Sequence, residues 1–292
     1  MWRPGPEDVR HYEEHGWLTT PKLFGPSELA AARAAVADHH HGHRDRELPI
    51  GLHPCDDWRP GDPSPLRRNE YVALTSDALA EFLLRPQLAA IASELVGGAG
   101  IRLWSSGIIY KPPGTDGPEV TICWHTDKTY WRSCSSRQML TAWVPLDGCD
   151  ESSGTLIVLD GSHLWRGPKI DDARLAHSFM GTRPEVVEKY LASSGVEMKK
   201  IPMNLEAGQV SFHHCMLFHG SGANLSPRPR IALTLHLQDA PNTYLASGDI
   251  GTHNNNRLCR STAAGEPDYT DPRWFPLLWG ESIDPRRGPG PV

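Results

Sequence analysis

His125-Thr126-Asp127, His219, Ser221 and Arg230 are the residues of this 292-residue chain whose types and spacing could do chemistry together. On a strand, positions i and i+2 project from one face, so His125 and Asp127 could grip one ion. Two imidazoles and a carboxylate hold one face of a non-haem Fe(II) and leave its other positions open. The second imidazole must come from a distant strand; His213, His214, His219 and His236 are the candidates. His219 follows a predicted strand, sits in His-Gly-Ser-Gly-Ala-Asn and lies eleven positions before Arg230. A guanidinium grips a carboxylate bidentately. The set therefore points to an iron site whose co-substrate is an organic acid.

These side chains need a scaffold, and the residue pattern changes near position 100. Before it, Pro26 opens a segment in which Leu29, Ala32 and Val36 recur at helical spacing, with Pro tolerated in the first turn. A second helical zone spans 77–96, with Leu79, Phe82 and Leu83 before Pro86 and Leu88, Ile91 and Leu95 after it. Residues 39–66 carry no sustained period and read as a long loop of the kind that often forms a lid. After position 100 the chain reads as short strands at 101–110, 121–125, 139–146, 154–159, 208–213 and 230–238. In the last of these, Ile231, Leu233, Leu235 and Leu237 alternate with Arg230, Ala232, Thr234 and His236, which separates an aliphatic face from a polar one. A helix is expected from Thr182 to Leu191. The tail beyond 240, rich in Asn, Pro, Asp and Gly, is expected to wrap the surface.

Composition narrows the class. The chain is 39% hydrophobic and 22% charged, and its net charge of -6 gives no reason to expect nucleic acid. No stretch approaches the roughly 20 apolar residues of a membrane span. The N-terminus lacks a signal peptide's apolar core, so a cytoplasmic protein is expected. Cys55, Cys123, Cys134, Cys149, Cys215 and Cys259 form no C-x-x-C pair and read as free thiols. His39-His-His-Gly-His43 reads as a solvated helix end rather than a metal site. Arg67-Arg68 reads as a surface pair rather than one that meets an anionic substrate or 2-oxoglutarate from the loop side.

Four blocks in order make a resemblance specific: Trp124-His-Thr-Asp127, Thr141-Ala-Trp143-Val-Pro-Leu-Asp, Gly154-Thr-Leu-Ile-Val-Leu-Asp-Gly-Ser-His163, and His219 through Arg230. Together with the opening His11-Tyr-Glu-Glu-His-Gly-Trp-Leu, they resemble the phytanoyl-CoA dioxygenase family of Fe(II)/2-oxoglutarate-dependent oxygenases, from about residue 7 to 240. The resemblance implies that His125, Asp127 and His219 are the iron ligands. It implies that Arg230 and Ser221 hold the distal carboxylate of 2-oxoglutarate, with Trp143 lining the co-substrate site. Lys111-Pro112-Pro113 matches a further block, but Gly107 stands where the family often has a Met contact. Halogenating relatives replace the carboxylate ligand with a small residue; Asp127 is retained, so hydroxylation, desaturation or ring closure is implied.

The expected fold is mainly β with flanking helices, a double-stranded β-helix (jelly-roll, cupin-like) in one domain. Residues 1–99 are its helical N-terminal part and lid loop, 100–240 its core and 241–292 a C-terminal wrap. The expected activity is hydroxylation of an unactivated carbon of a small molecule, with Fe(II), 2-oxoglutarate and O2. Richness in Ala, Arg, Gly and Pro fits a GC-rich bacterial source. The resemblance, to a family whose bacterial members often tailor secondary metabolites, implies a natural-product intermediate rather than an acyl-CoA. Tyr130, Trp131 and Trp165 are the candidate substrate contacts. The other readings are desaturation, epimerisation or ring closure at the same site, and a non-catalytic ligand-binding barrel.

Overall fold

A computed structural model describes residues 1–175, 184–246 and 253–280. The N-terminal part contains α1 (Pro6–His15), β1 (Trp17–Thr19), α2 (Pro26–His40), β2 (Arg67–Glu70), α3 (Val72–Thr75), α4 (Asp77–Leu83) and α5 (Pro86–Leu95). Pro26 and Pro86 each sit in a first turn, where a missing N–H costs nothing. At the start of α2 the Glu28 carboxylate accepts the Gly25 N–H at 2.7 Å, satisfying a donor outside the helix ladder. Pro86 thereby splits the predicted 77–96 zone into two helices.

The remainder comprises β3 (Ile101–Lys111), β4 (Ile122–His125), β5 (Leu140–Pro145), β6 (Ile157–Leu159), α6 (Pro168–Leu175), α7 (Pro184–Ala192), β7 (Lys200–Pro202), β8 (Ser211–His214), β9 (His219–Ser221), β10 (Arg230–Asp239), α8 (Asn254–Leu258) and β11 (Leu277–Trp279). Of the helix expected from Thr182, residues 184–192 form α7; Thr182 and Arg183 lie outside the described residues. The large sheet runs β1-β8-β5-β10-β3-β11, with β2 also on β3, and the small sheet runs β4-β9-β6-β7. From β3 to β10 the chain passes large, small, large, small, small, large, small, large. That winding, with these strands paired antiparallel, is the double-stranded β-helix, or jelly roll.

Alternation along the large sheet sorts its two faces. Leu140, Ala142 and Val144 of β5, Phe212 of β8 and Leu233, Leu235 and Leu237 of β10 join one core with Leu29, Val36, Leu79, Leu83, Leu88 and Ile91 of the helices. Each of the sheet residues named is essentially inaccessible to solvent. The opposite face carries Thr141, Trp143, His213, Arg230, Thr234 and His236 toward the small sheet, around one cavity. The helices thus anchor the sheet from behind and leave its polar face for a ligand.

Several expectations need correction. The tail does not only wrap the surface: Leu258, Tyr269, Trp274 and Phe275 bury against Trp104 in an aromatic core, and β11 extends the large sheet. The His run does end a helix, but His39 and His40 are buried, and burial lowers their pKa values to about 3 and about 4. Arg67 and Arg68 are not a surface pair; β2 carries Arg67 over Trp58 and Tyr110 and turns Arg68 inward. All six cysteines are free thiols. Among the described residues no helix is long and apolar enough to cross a membrane.

Candidate metal centre

His125 ends β4 and His219 begins β9, and the two are directly opposed in the antiparallel register. Their rings lie 4.2 Å apart between centroids. Asp127 follows on the turn that leaves β4, with its Oδ1 3.6 Å from His219 Nε2. The donor atoms of these three residues lie within 4.8 Å of one another and could share an ion.

Each imidazole is oriented by the backbone. Nδ1 of His125 donates to the Cys123 carbonyl at 2.8 Å, and Nδ1 of His219 to the Leu217 carbonyl at 3.0 Å. Because a carbonyl only accepts, both rings carry the proton on Nδ1 and present the Nε2 lone pair to the cavity. Burial lowers the pKa of His125 and takes His219 well below the usual imidazole value, which favours the neutral, ligating form. Burial opposes ionisation of Asp127, but the facing His219 and His213 outweigh it and hold the carboxyl well below its ordinary range. Two neutral nitrogens and one carboxylate on one face fit Fe(II).

Arg230 opens β10 and is buried, with Trp143 beneath it at 5.7 Å from guanidinium carbon to ring centroid. Its Nη2 donates to the Gly154 carbonyl at 3.2 Å, while Nε and Nη1 are buried without a protein partner. Unpaired guanidinium N–H groups in the interior are costly, and a carboxylate would satisfy them as a fork. Ser221 lines the same end, and the whole cavity measures about 540 Å³.

At its other end the cavity is bounded by the 39–66 loop, β2 and the tail. Arg68 bridges Asp56 at 3.0 Å and Glu70 at 2.9 Å, and Ser105 donates to Glu70 at 3.2 Å. Tyr130 and Trp131 line this end; Trp165 does not. It follows the turn at 162–164 and packs with Phe218 and Trp124 in a separate cluster, ring to ring at 6.2 Å from Phe218.

Residues 12–232 match the sequence model of phytanoyl-CoA dioxygenase (PhyH). The chain belongs to the phytanoyl-CoA dioxygenase family. Among the relatives of this family member, the ectoine dioxygenase of Bordetella parapertussis is 26% identical over 247 residues, 81% of this chain and 76% of that one. Peroxisomal phytanoyl-CoA dioxygenase of Bos taurus is 24% identical over 251 residues, 82% and 70% of the two chains. Among solved structures, the non-haem α-ketoglutarate-dependent carbocyclase SnoK from nogalamycin biosynthesis is similar at a TM-score of 0.68 and 26% identity, covering 94% of this chain and 96% of that one. The epimerase SnoN, crystallised with Fe3+, α-ketoglutarate and nogalamycin RO, has a TM-score of 0.67 at 24% identity, covering 94% and 98%. Membership makes this chain an iron- and 2-oxoglutarate-dependent dioxygenase that uses O2.

In this phytanoyl-CoA dioxygenase family member, the four candidate third ligands separate cleanly. His213 and His236 line the cavity outside the ligand group, and His214 Nδ1 instead accepts the Met216 N–H at 3.0 Å. Sequence reasoning missed Thr141, which donates to Asp127 Oδ2 at 2.6 Å and meets His236 Nδ1 at 2.8 Å. The available signal was its i, i+2 relation to Trp143. Gly107 also gains a reason: a Cβ there would approach Thr234 Oγ1 to 2.9 Å and the Asn69 carbonyl to 3.1 Å. Asp56 and Glu70 carried no signal, because only the fold brings that loop over the barrel mouth; Arg68 did carry one, as a candidate anion contact from the loop side.

Proposed function

We propose that His125, Asp127 and His219 hold Fe(II), and that Arg230 and Ser221 hold the distal carboxylate of 2-oxoglutarate beside Trp143. The reaction we assign is hydroxylation of an unactivated carbon of a small molecule, of the kind found among bacterial natural-product intermediates. One observation carries the reading: a buried guanidinium with two unpartnered nitrogens shares a cavity with a two-His, one-carboxylate group. Iron and its co-substrate, when bound, supply the oxidising power. The chain's own residues orient and exclude. The Nδ1 hydrogen bonds aim both imidazoles, Thr141 steadies Asp127, and the buried surroundings of Arg230 keep water from competing for the carboxylate. Substrate would occupy the end bounded by Tyr130, Trp131 and the Asp56–Arg68–Glu70 bridges, an aromatic side facing a charged one. The 39–66 loop, which contributes Asp56, would be the lid.

Similarity to a carbocyclase supports a second reading, ring closure or epimerisation at the same centre. The test is succinate release with Fe(II), 2-oxoglutarate and a substrate panel, followed by product mass. Gain of one oxygen supports hydroxylation, loss of two hydrogens supports closure or desaturation, and unchanged mass supports epimerisation. No succinate with any substrate, or full turnover by His219→Ala, would defeat the assignment. A non-catalytic barrel would give the first of these results.

A further inference from the structure

Lys111 is the last residue of β3, lies beside Arg230 in the β3–β10 register, and is completely buried. Its ammonium reaches only neutral acceptors: Ser221 Oγ at 2.7 Å, the Ser221 carbonyl at 3.1 Å and the Gly222 carbonyl. Three acceptors match the three N–H donors of the charged form. Burial and the neighbouring Arg230 push its pKa well below the usual lysine value, and burial brings Arg230 down to about 10. Among the described residues no carboxylate hydrogen-bonds to either cation or offsets its burial. Two adjacent buried cations without a counter-charge are costly unless an anion joins them.

The hydrogen-bond inventory then fixes a direction. An anion bound beside the two cations supplies the missing counter-charge and holds Lys111 as an ammonium, which donates and cannot accept. With Lys111 on Ser221 Oγ, the one Ser221 proton then points elsewhere. Ser221 faces the cavity on the Arg230 side. We propose that Lys111 is a positioning residue of the co-substrate site: it makes the Ser221 hydroxyl a donor toward the distal carboxylate of 2-oxoglutarate and sets a second positive charge behind Arg230. This rests on the reading of Arg230 and Ser221 given under Proposed function.

The test is anaerobic calorimetry of the Fe(II)-loaded protein with 2-oxoglutarate and with 2-oxopentanoate, which carries a methyl in place of the distal carboxylate. Lys111→Met should weaken 2-oxoglutarate at least about tenfold, the worth of a charge-assisted hydrogen bond, and leave 2-oxopentanoate within about twofold. Combined with Ser221→Ala, the losses should not multiply, because the two residues act as one unit. Unchanged 2-oxoglutarate affinity, equal loss for both acids, or multiplicative losses would each overturn the proposal. If the Met variant does not fold, Lys111→Gln, neutral but still a donor, tests the charge alone. There 2-oxoglutarate should weaken and 2-oxopentanoate should not; an equal effect on both acids, or none, overturns the charge role. Should neither fold, lysine-15N-labelled wild-type protein loaded with Zn(II) decides it. A slowly exchanging ammonium signal must shift with 2-oxoglutarate and not with 2-oxopentanoate; no such shift overturns the proposal. Arg230→Ala separates the two levels: unchanged affinity there defeats the reading of the site itself, whereas loss there with Lys111 variants unaffected defeats only the role of Lys111.

Discussion

Thr141 has a single proton, and Asp127 takes it at 2.6 Å. Its contact with His236 Nδ1 at 2.8 Å must therefore be an N–H donated by the ring, which leaves His236 Nε2 as an acceptor at the cavity. Burial lowers the His236 pKa to about 4, so near pH 7 the ring is neutral and this tautomer holds. The chain His236–Thr141–Asp127 fixes the orientation of the one carboxylate in the proposed ligand set. Thr141→Val keeps the shape and removes the link, so metal affinity should fall about 10–100-fold. Titration with Fe(II) or Co(II) measures it, and wild-type affinity in the variant would remove Thr141 from the machinery. At the same scale, Arg230→Ala should raise the Kd for 2-oxoglutarate at least about tenfold and leave metal affinity unchanged.

At the scale of elements, β4 and β9 matter because their register is what opposes His125 to His219. Gly220 lies between His219 and Ser221, and a Cβ there would come within 2.8 Å of the Ile122 carbonyl, a backbone atom that cannot swing aside. Gly220→Ala should force the strands apart, costing about 1–3 kcal/mol by overpacking and weakening metal and 2-oxoglutarate together. Chemical denaturation and ligand titration read the two effects; a stable variant with intact binding would refute the argument. β10 offers the contrast, since Arg230, Thr234 and His236 face the cavity and Leu233, Leu235 and Leu237 the helices. Leu235→Ala should cost about 2–5 kcal/mol of stability while the folded fraction keeps its affinity for 2-oxoglutarate. Loss of affinity in that variant would mean that the two faces are not independent.

For the whole molecule, helices cover one face of the large sheet and the cavity lies between the sheets. One end of that cavity carries the buried Arg230, with the buried Lys111 beside it, and the other carries Arg68, paired with Asp56 and Glu70. Bound metal and co-substrate should therefore stabilise the fold itself. At a ligand concentration of 100 Kd the gain is about 2.7 kcal/mol, and at roughly 2–4 °C per kcal/mol the midpoint should rise by several degrees. Anaerobic thermal unfolding with Fe(II) and 2-oxoglutarate, against protein treated with chelator, measures the shift. A midpoint that does not move would mean that neither ligand binds where proposed.

His125 and Arg230 were legible from strand alternation, which places residue types on faces by local rules. Asp127 was expected on the same strand but sits on the turn beyond it. The local pattern left four candidates for the second imidazole, of which the family resemblance implied His219. The same rules separated Leu235 from His236 and marked Pro26 as a helix start, whereas Pro86 stood inside one expected helical zone and opens α5 only in the fold. They failed where a contact spans the fold. β1 and β2 are three and four residues long and form only because sheet edges await them. Arg68 and the buried His39 looked like surface residues until a loop and a helix end packed over them. Lys111 and Ser221 are 110 positions apart and meet only when β3 and β9 close one end of the barrel. The sequence by itself determined the residue types proposed to hold the metal and the strands that carry or lead into them, because periodicity and donor chemistry are local. Only the tertiary structure decided which buried charges face one another, because desolvation and pairing depend on what the fold brings alongside.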